Sequence, residues 1–355
     1  MKYTLIPGRD LDAGLVERWA EIQEADPAFA SPYFRPEFAQ AVAAVRKDVW
    51  IGVLETGGRV VGFFPFHRQF GGIARPLGLG LSDHHGVIVE RDADWNAEDL
   101  MAGCGLVRWT FDHLLAEQEA WQPYHSRLAP SPIIDTSQGY AHYEQIRNEL
   151  NGKQLKDAYR CIRKLEREHE PHCFTVHSQD PVAFEAAIHW KRQQCQQAGV
   201  FDYFGRPWTV ELMRRLLASQ AEAFAGVLST VHVGETLLAV HLGMRSRTAL
   251  HFWFPSYNDD YGKYSPGSIL LVDLIQHACS TEIDYIDLGK GMASYKERLM
   301  TDAITIAEGC ATRRSFMNVV FAARERSEAW SEASVLRPLL RWPGRLIKLM
   351  EYRRR

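Results

Sequence analysis

Two strand–turn–strand patterns, half a chain apart, limit the folds that this sequence can adopt. The first has β-rich runs at 49–54 and 59–66 around a Thr-Gly-Gly turn. The second lies within 225–245, around a turn that begins at Gly234. Gly57 and Gly234 are 177 residues apart in a chain of 355, a length that suits two domains of about 150 residues each. The spacing therefore predicts two copies of one α/β unit.

Helical patterns lie between the strand-rich segments. The segment 178–199 has Asp180 as an N-cap, Pro181 in the first turn and Gly199 as a C-cap. Further helices are predicted over 31–45, 153–170 and 205–220. The resulting fold class is α/β or α+β, with mixed sheets flanked by helices.

The charged helix at 153–170 marks the expected boundary between the two units, just before it at Gly152. The predicted organisation is an N-terminal domain over 1–152, a C-terminal domain over 153–320 and a basic tail over 321–355. In the charged helix, Arg160, Arg163, Lys164 and Arg167 share one face.

Composition excludes several classes of function. The net charge of −3 produces no general attraction to nucleic acid. The six cysteines show no Cys-x-x-Cys spacing, which argues against a zinc site or a disulfide framework and favours a reducing compartment. No apolar run reaches signal-peptide length at the start, or the roughly 20 residues of a membrane span elsewhere. We therefore expect a cytoplasmic protein.

The tail differs in character from the rest of the chain. Residues 337–355 carry seven basic side chains and one acidic one, with leucine, isoleucine and tryptophan between them. That composition suits an amphipathic segment lying peripherally on the inner, anionic face of a membrane. The alternative is a solvated helix that packs one side on its own domain.

The segment 263–278 has the features of a phosphate-binding helix start. Ser265 can cap the helix, Pro266 suits its first turn, and the small residues Gly267 and Ser268 let a ligand approach the backbone. Helix amides at this end lack internal partners and bind phosphate, and Lys263 adds positive charge. The alternative is an ordinary capped helix with nothing bound.

A second candidate site follows a short strand at 283–288. Asp287 lies near the carboxyl end of this strand, where open α/β sheets place their sites. Gly289 and Gly291 permit a sharp turn, after which Tyr295 could protonate a leaving thiolate and Lys296 could bind an anionic group on a substrate. Alternatively, Asp287 only bonds the turn amides, and Tyr295 and Lys296 are ordinary surface residues.

Histidines and aromatic residues supply further candidates. His241 lies on a strand between the small residues Ala239 and Gly243, which leave room for a ligand, so it is a candidate base or a satisfied structural histidine. Trp253 and Tyr257 could line a groove or fill the core. Asp83, His84 and His85 are consecutive, so their side chains point in different directions and no metal site is expected there.

The ordered set of these blocks resembles the CelD/BcsL-type acetyltransferases of the GNAT superfamily, which are associated with cellulose and exopolysaccharide biosynthesis. The resemblance covers roughly residues 30–310. It rests on the blocks "SPYFRPEFAQAV", "VVGFFPFHR", "GLSDHHGVI", "YRCIRKLERE", "WKRQQCQQAGVFDYFGRPW", "YSPGSILL" and "IDLGKGMASYKERL". The family looks like two tandem GNAT folds, as in the FemABX peptidyltransferases, which agrees with the spacing of the hairpins.

The resemblance also implies roles for individual residues. "YSPGSILL" stands where GNAT enzymes bind the pyrophosphate of acetyl-CoA, although the usual glycine-rich loop is reduced here to "KYSPGS". Tyr295 stands where a GNAT tyrosine faces the CoA sulfur, which makes it the candidate general acid. FemABX relatives use aminoacyl-tRNA as donor, and the basic face around Arg160 could serve an RNA or a nucleotide-linked sugar.

Three functional hypotheses follow. The first is an acyl-CoA-dependent acyltransferase acting on an amine or hydroxyl of a sugar or glycan precursor. In it His241 or Asp287 takes the acceptor proton, directly or through water, and Asp83 and Lys296 contact the acceptor. The second is an aminoacyl-tRNA-dependent transferase, and the third is a non-catalytic scaffold of a glycan-synthesis complex at the membrane.

Overall fold

A computed structural model describes residues 1–313. Its α-helices are α1 (Ala13–Ala25), α2 (Pro36–Val45), α3 (Ala97–Gly103), α4 (Tyr140–Asn151), α5 (Lys153–Glu168), α6 (Pro181–Ala198), α7 (Pro207–Ala218), α8 (Pro266–Ala278) and α9 (Ser294–Leu299). Its strands are β1 (Lys2–Pro7), β2 (Val49–Thr56), β3 (Arg59–Gln69), β4 (Ile73–Pro76), β5 (Ile88–Val89), β6 (Arg108–Leu115), β7 (His125–Asp135), β8 (His172–Thr175), β9 (Phe224–Val233), β10 (Thr236–Ser246), β11 (Ala249–Tyr257), β12 (Tyr285–Asp287) and β13 (Asp302–Thr312).

The structure confirms both predicted hairpins. β2 and β3 pair antiparallel through a two-residue turn at Gly57 and Gly58, whose φ angles of 60° and 81° favour glycine. β9 and β10 pair in the same way around Gly234, with φ of 53°. The caps predicted for α6 are also present, since the Asp180 side chain accepts from the Val182 amide and Gly199 is left-handed.

Each hairpin belongs to a repeated unit of one strand, two helices and two strands. In the first half β1, α1 and α2 precede β2 and β3, and in the second half β8, α6 and α7 precede β9 and β10. In both copies a 3-10 turn bearing a Tyr-Phe pair, at Tyr33 and Tyr203, precedes a helix that begins with proline. The expectation of two copies of one α/β unit is therefore confirmed.

The two copies share one sheet, in which their last strands interleave. The strand order is β1-β2-β3-β4-β6-β13-β7-β12-β11-β10-β9-β8, with β5 paired to β3. β13 of the second half inserts between β6 and β7 of the first, and β7 in turn pairs with β12. β6 and β12 are alike in running parallel to their outer neighbours, β4 and β11. The centre of the sheet is thus built from both halves.

The core is shared as well. One hydrophobic cluster joins α1 and α2 residues such as Trp19 and Phe38 to α6 and α7 residues such as Phe184 and Met213.

The predicted boundary at Gly152 falls between α4 and α5. The predicted tail, 321–355, lies outside the described residues. No helix within 1–313 is long and apolar enough to cross a membrane.

Candidate functional site

Polar side chains from four segments meet where the strands of the two halves interleave. The loop after the first-half 3-10 turn at 79–81 supplies Asp83, His84 and His85. β6 supplies Asp112 and His113, β11 supplies His251, and β12 ends at Asp287. Most of these groups are buried, so their charges must be compensated within the cluster.

Asp287 is the buried centre of this cluster, with a relative exposure of 1%. Its Oδ2 lies 2.8 Å from His84 Nε2 and 3.1 Å from His251 Nδ1. Its Oδ1 accepts from the Ser131 hydroxyl at 3.0 Å and from the Gly289 amide at 2.8 Å. Burial opposes its ionisation, but His251 and His84 hold the pKa of Asp287 well below its usual range. The carboxylate is therefore charged, fully bonded and closed to a substrate.

His251 connects Asp287 to Asp83. Its Nε2 lies 3.1 Å from Asp83 Oδ2, while its Nδ1 faces Asp287. Burial disfavours the imidazolium, but the two carboxylates outweigh that effect and raise the pKa of His251 to about 9. Burial likewise opposes the ionisation of Asp83, and His251 lowers the pKa of that carboxyl. Asp83 is 24% exposed and so forms the accessible end of the chain from Asp287 through His251.

The glycine turn after β12 packs directly against Asp83. Gly289 has φ of 74°, and a Cβ at this position would lie 2.6 Å from Asp83 Oδ2. The Lys296 ammonium closes the turn by donating to the carbonyls of Gly289 at 2.8 Å and Lys290 at 3.0 Å. Burial lowers the pKa of Lys296, against the attraction of Asp83 and Asp287. Lys296 therefore supports the turn that contacts Asp83.

Tyr295 precedes Lys296 on α9 and is 38% exposed. Burial of part of the ring raises the pKa of its phenol, which stays protonated at neutral pH. A protonated, accessible phenol is the form that a general acid requires.

The structure separates His241 from this cluster. Its ring is fully buried and stacks on Phe252 at 4.7 Å between centroids. Phe252 belongs to the core beneath α8, whereas Trp253 packs on the core of the opposite sheet face. Burial lowers the pKa of His241 to about 3, and its Nε2 contacts only backbone groups of His251 and Trp253, at 3.3 Å. The predicted histidine base thus has the features of the structural alternative.

The start of α8 differs from the expected cap. Ser265 has φ of 54° and makes no side-chain capping bond, because its left-handed backbone turns the chain there. The amides of Ser265 and Ser268 are already bonded, to the carbonyls of Gly262 and Ser265 at 3.0 Å and 2.8 Å. Pro266 has no amide hydrogen, so Gly267 is the position at this helix start whose backbone remains open to a ligand.

Cationic groups surround that helix start. The Lys263 and Lys164 ammonium groups lie 4.7 Å and 5.3 Å from the centre of the Tyr264 ring. Glu168 partly neutralises them, bonding the Tyr264 hydroxyl at 2.7 Å and Lys263 at 3.3 Å. Arg160, on the same helix as Lys164, is 73% exposed and pairs with Asp157 at 3.1 Å. We call the exposed and half-buried cations on α5 and before α8 the basic rim: Arg160, Arg163, Lys164, Arg167 and Lys263.

The two predicted aromatic residues lie in different places. Tyr257, at the end of β11, lies beside the α8 start, because a Cβ on Gly267 would be 3.4 Å from its ring. Trp253 lies near His251, with its ring centre 6.1 Å from that of His251 and 5.5 Å from that of Tyr33.

The sequence pattern does not predict the partners of Asp287, namely His84, Ser131 and His251. His84 stands in the sequence only as a possible metal ligand, and no motif marks Ser131 or His251. Side-chain alternation on β11 was the pattern that could have identified His251. His251 and Trp253 lie on the same face of β11, and His251 pairs with Asp287 at the end of β12.

The comparisons with known proteins agree with this architecture. Residues 152–297 match the family model described as "Acetyltransferase (GNAT) domain". No curated protein matches the sequence.

Solved structures resemble the fold across most of the chain. FemX aligns at a TM-score of 0.56 and 8% identity, over 87% of this chain and 96% of FemX. The C-terminal domain of a protein named as a lysylphosphatidylglycerol synthetase from Agrobacterium fabrum aligns at a TM-score of 0.52 and 13% identity, over 88% of this chain and 95% of that domain. A tandem GNAT protein from the clavulanic acid biosynthesis pathway aligns at 0.49 and 10% identity, over 88% and 100%.

At these identities the structural likeness concerns the fold alone. The family match is more specific, because it covers α5 to α8 and the start of α9, and includes the α8 start, His251, Asp287 and Tyr295. Residues 152–297 therefore match a GNAT acetyltransferase domain, a class of acyltransferase.

Proposed function

We propose that this protein transfers an acyl group from an acyl-CoA thioester to an amine or hydroxyl of a sugar or glycan precursor. The observation that carries the proposal is the series of side-chain contacts from the buried Asp287 through His251 to the accessible Asp83. His251 holds the Asp83 carboxylate in place, so that this carboxylate reaches solvent beside the turn that leads to Tyr295. Acyl transfer from CoA needs a base, an acid and a binding site for the donor phosphates. The Asp83 carboxylate, the Tyr295 phenol and the start of α8 fill these three roles in the proposal.

In this mechanism Asp83 takes the role of base. The attacking nitrogen or oxygen forms a bond to the acyl carbon, and its proton goes to Asp83. The C–S bond breaks, and Tyr295 donates its proton to the departing sulfur. The two sites then regain their starting protonation by exchange with solvent. Asp287 and His251 are positioning residues, because Asp287 is closed to substrate and holds the imidazole that orients Asp83.

The donor phosphates would bind at the basic rim and at the open backbone of Gly267. The helix dipole of α8 and the cations around Tyr264 both favour an anion at this place. The absence of a longer glycine-rich loop puts more of the binding on side chains, so donor affinity should be sensitive to salt.

A sugar acceptor is proposed from the sequence resemblance to CelD/BcsL-type proteins. The half-buried Trp253, next to His251, is the aromatic surface on which a sugar ring could lie.

The first experiment is calorimetric titration of the full chain with acetyl-CoA and longer acyl-CoAs. Wild-type protein should bind one of them, and Gly267→Trp should lose that binding, because its side chain would enter the space beside Tyr257. Gly14→Trp, on the solvent side of α1, is the matched control and should bind as wild type. No binding of any acyl-CoA by wild-type protein would contradict the proposal.

A second test separates donor binding from chemistry. Tyr295→Phe removes only the phenolic hydroxyl group and with it the transferable proton, so turnover should fall by roughly 10²–10⁴-fold with donor affinity unchanged. Unchanged turnover would remove Tyr295 from the mechanism.

The exposed cations on α5 favour a second candidate, an aminoacyl-tRNA donor. That function requires strongly salt-dependent RNA binding and activity that ribonuclease abolishes. Activity with a purified acyl-CoA after ribonuclease treatment would exclude it.

A scaffold role at a membrane surface, through the tail at 321–355, predicts that removing the tail abolishes vesicle binding. Turnover by the shortened chain would show that catalysis does not depend on it.

A further inference from the structure

A second cluster lies beside the linked side chains of Asp287, His251 and Asp83, which we call the acid–base chain. This second cluster has no role in the proposed reaction. It consists of His85, Asp112 and His113, which each place one ligand atom within 4.8 Å of the others. His85 is buried and Asp112 is 58% exposed, so the cluster reaches from the interior to solvent. It is built from residues of the first half of the chain.

A β-bulge brings the two β6 residues to the same side. Leu114 pairs with Ala307 and Phe111 pairs with Gly309, which leaves Asp112 and His113 opposite the single residue Glu308. Neighbouring residues on a regular strand point to opposite faces, and a bulge of this kind re-aims one of them.

Backbone bonds hold the third member in place. The His85 amide donates to the His113 carbonyl at 2.8 Å, and the Leu115 amide donates to the His85 carbonyl at 3.1 Å. His85 is therefore attached to β6 by main-chain geometry, and the cluster does not depend on mobile side chains for its assembly.

The outer nitrogens of both imidazoles have partners that can only accept. His85 Nε2 lies 3.1 Å from the Ser82 carbonyl oxygen, and His113 Nε2 lies 3.4 Å from Asp83 Oδ1. With its proton on Nε2, His85 presents a lone pair at Nδ1, and His113 does the same in the tautomer that donates from Nε2 to Asp83. The two Nδ1 atoms are buried and lie 3.6 Å and 3.0 Å from Asp112 Oδ1.

In these tautomers two lone pairs and a carboxylate oxygen face one another, an arrangement that a bound cation stabilises. In a tetrahedral zinc site, metal–ligand distances of about 2.0–2.2 Å place neighbouring ligand atoms about 3.3–3.5 Å apart. The separations of 3.0 Å and 3.6 Å bracket that range. We propose that His85 Nδ1, His113 Nδ1 and an Asp112 carboxylate oxygen bind a divalent transition-metal ion, with zinc the metal that best suits two imidazoles and one carboxylate.

The surroundings agree with a bound cation. Asp83 and the Ser82 carbonyl act on the outer nitrogens as the oxygen partners that orient metal-binding histidines. Lys290 is a neighbouring cation that donates to the Asp112 backbone carbonyl at 2.8 Å, but its charge is paired with Glu308 at 2.7 Å. The exposed Asp112 provides the path of entry. A metal here would also hold Asp83 in place through His113.

The test is zinc and cobalt binding by the full chain after removal of metal with a chelator. We expect one zinc ion per chain, and cobalt should show d–d bands without a sulfur charge-transfer band, which excludes binding by the cysteines. The isosteric Asp112→Asn should weaken zinc affinity by at least about 100-fold, and Asp83→Asn by about 10–100-fold through the outer partner. His232→Ala, on the distant β9, is the control and should bind zinc as wild type.

Far-ultraviolet circular dichroism of each variant checks that the fold is intact. Because Asp112 is largely exposed, Asp112→Asn is expected to fold normally, which keeps the test decisive. A wild-type chain that binds no zinc, cobalt spectra with sulfur ligation, or unchanged affinity in Asp112→Asn would each overturn the proposal.

Discussion

The molecule contains two aspartates at similar places in its two halves, each between two histidines. Asp287 ends β12 between His84 and His251, and Asp112 lies on β6 between His85 and His113. Asp287 is buried and bonded at both oxygens, whereas Asp112 is 58% exposed and faces imidazole nitrogens that have no hydrogen-bond partner.

The difference shows how burial and hydrogen bonding decide what one residue set can do. A buried carboxylate with four donors around it fixes the protonation and orientation of its histidines, and so serves the accessible Asp83. The exposed Asp112 carboxylate faces the Nδ1 atoms of His85 and His113, and in the proposal a metal ion between them offsets their electrostatic repulsion. The adjacent residues His84 and His85 divide between the two centres because successive side chains of an extended segment point apart.

The largest contrast should appear when each aspartate becomes asparagine. Asp287→Asn removes the buried one of the two carboxylates that pair with His251, so the free energy of unfolding should fall by about 3 kcal/mol or more. Asp112→Asn removes an exposed charge, so in metal-free protein the change should stay within about 0.5 kcal/mol. Urea unfolding of both variants in chelator measures the difference. Equal losses would show that burial does not distinguish the two centres.

The next largest effect concerns pH. The folded pKa of His251 is raised from 6.5 to about 9, so its stabilisation is complete below pH 6.5 and is lost as the pH rises through 9. The loss is at most about 3 kcal/mol in the free energy of unfolding. In His251→Asn that fall between pH 6.5 and 9 should be absent, which urea unfolding at several pH values measures. An equal fall in the variant would assign the pH dependence to other groups.

The smallest effect tests the contact between the glycine turn and Asp83. Gly289 and Gly291 both have positive φ, of 74° and 95°, but only a Cβ on Gly289 meets Asp83, at 2.6 Å. Alanine at either position should cost about 1 kcal/mol of backbone strain, with a further loss at Gly289. Gly289→Ala should also displace Asp83 and lower the pKa of His251, as measured by NMR titration, whereas Gly291→Ala should not. Identical titrations in the two variants would remove the turn from the acid–base chain.

Much of the fold was predictable because it depends on local rules. The turn glycines of both hairpins, the caps of α6 and the charged helix α5 follow from propensity and periodicity, and all are present. The cap at Ser265 was wrong because propensity does not report a left-handed backbone at a helix start.

The candidate site was predictable only in part. Asp287 and Asp83 were identified from loop and strand-end positions, but the chain linking them passes through His251, which comes from a different strand.

The sequence by itself determined the two-copy α/β architecture, the positions of the turns and the acyltransferase resemblance, because these depend on patterns within short segments. Only the tertiary structure decided which polar residues meet. The interleaving of β13 and β7 places β6 and β12 in one sheet, and the loop at 82–86 contacts both, through Asp83 with His113 on β6 and through His84 with Asp287 on β12. About half the chain separates β12 from the other two segments. Burial then set the protonation of each histidine, leaving His241 neutral in the core and His251 charged between two carboxylates. Both effects are non-local, since solvent exclusion and opposite charges act between residues that only the complete sheet brings together.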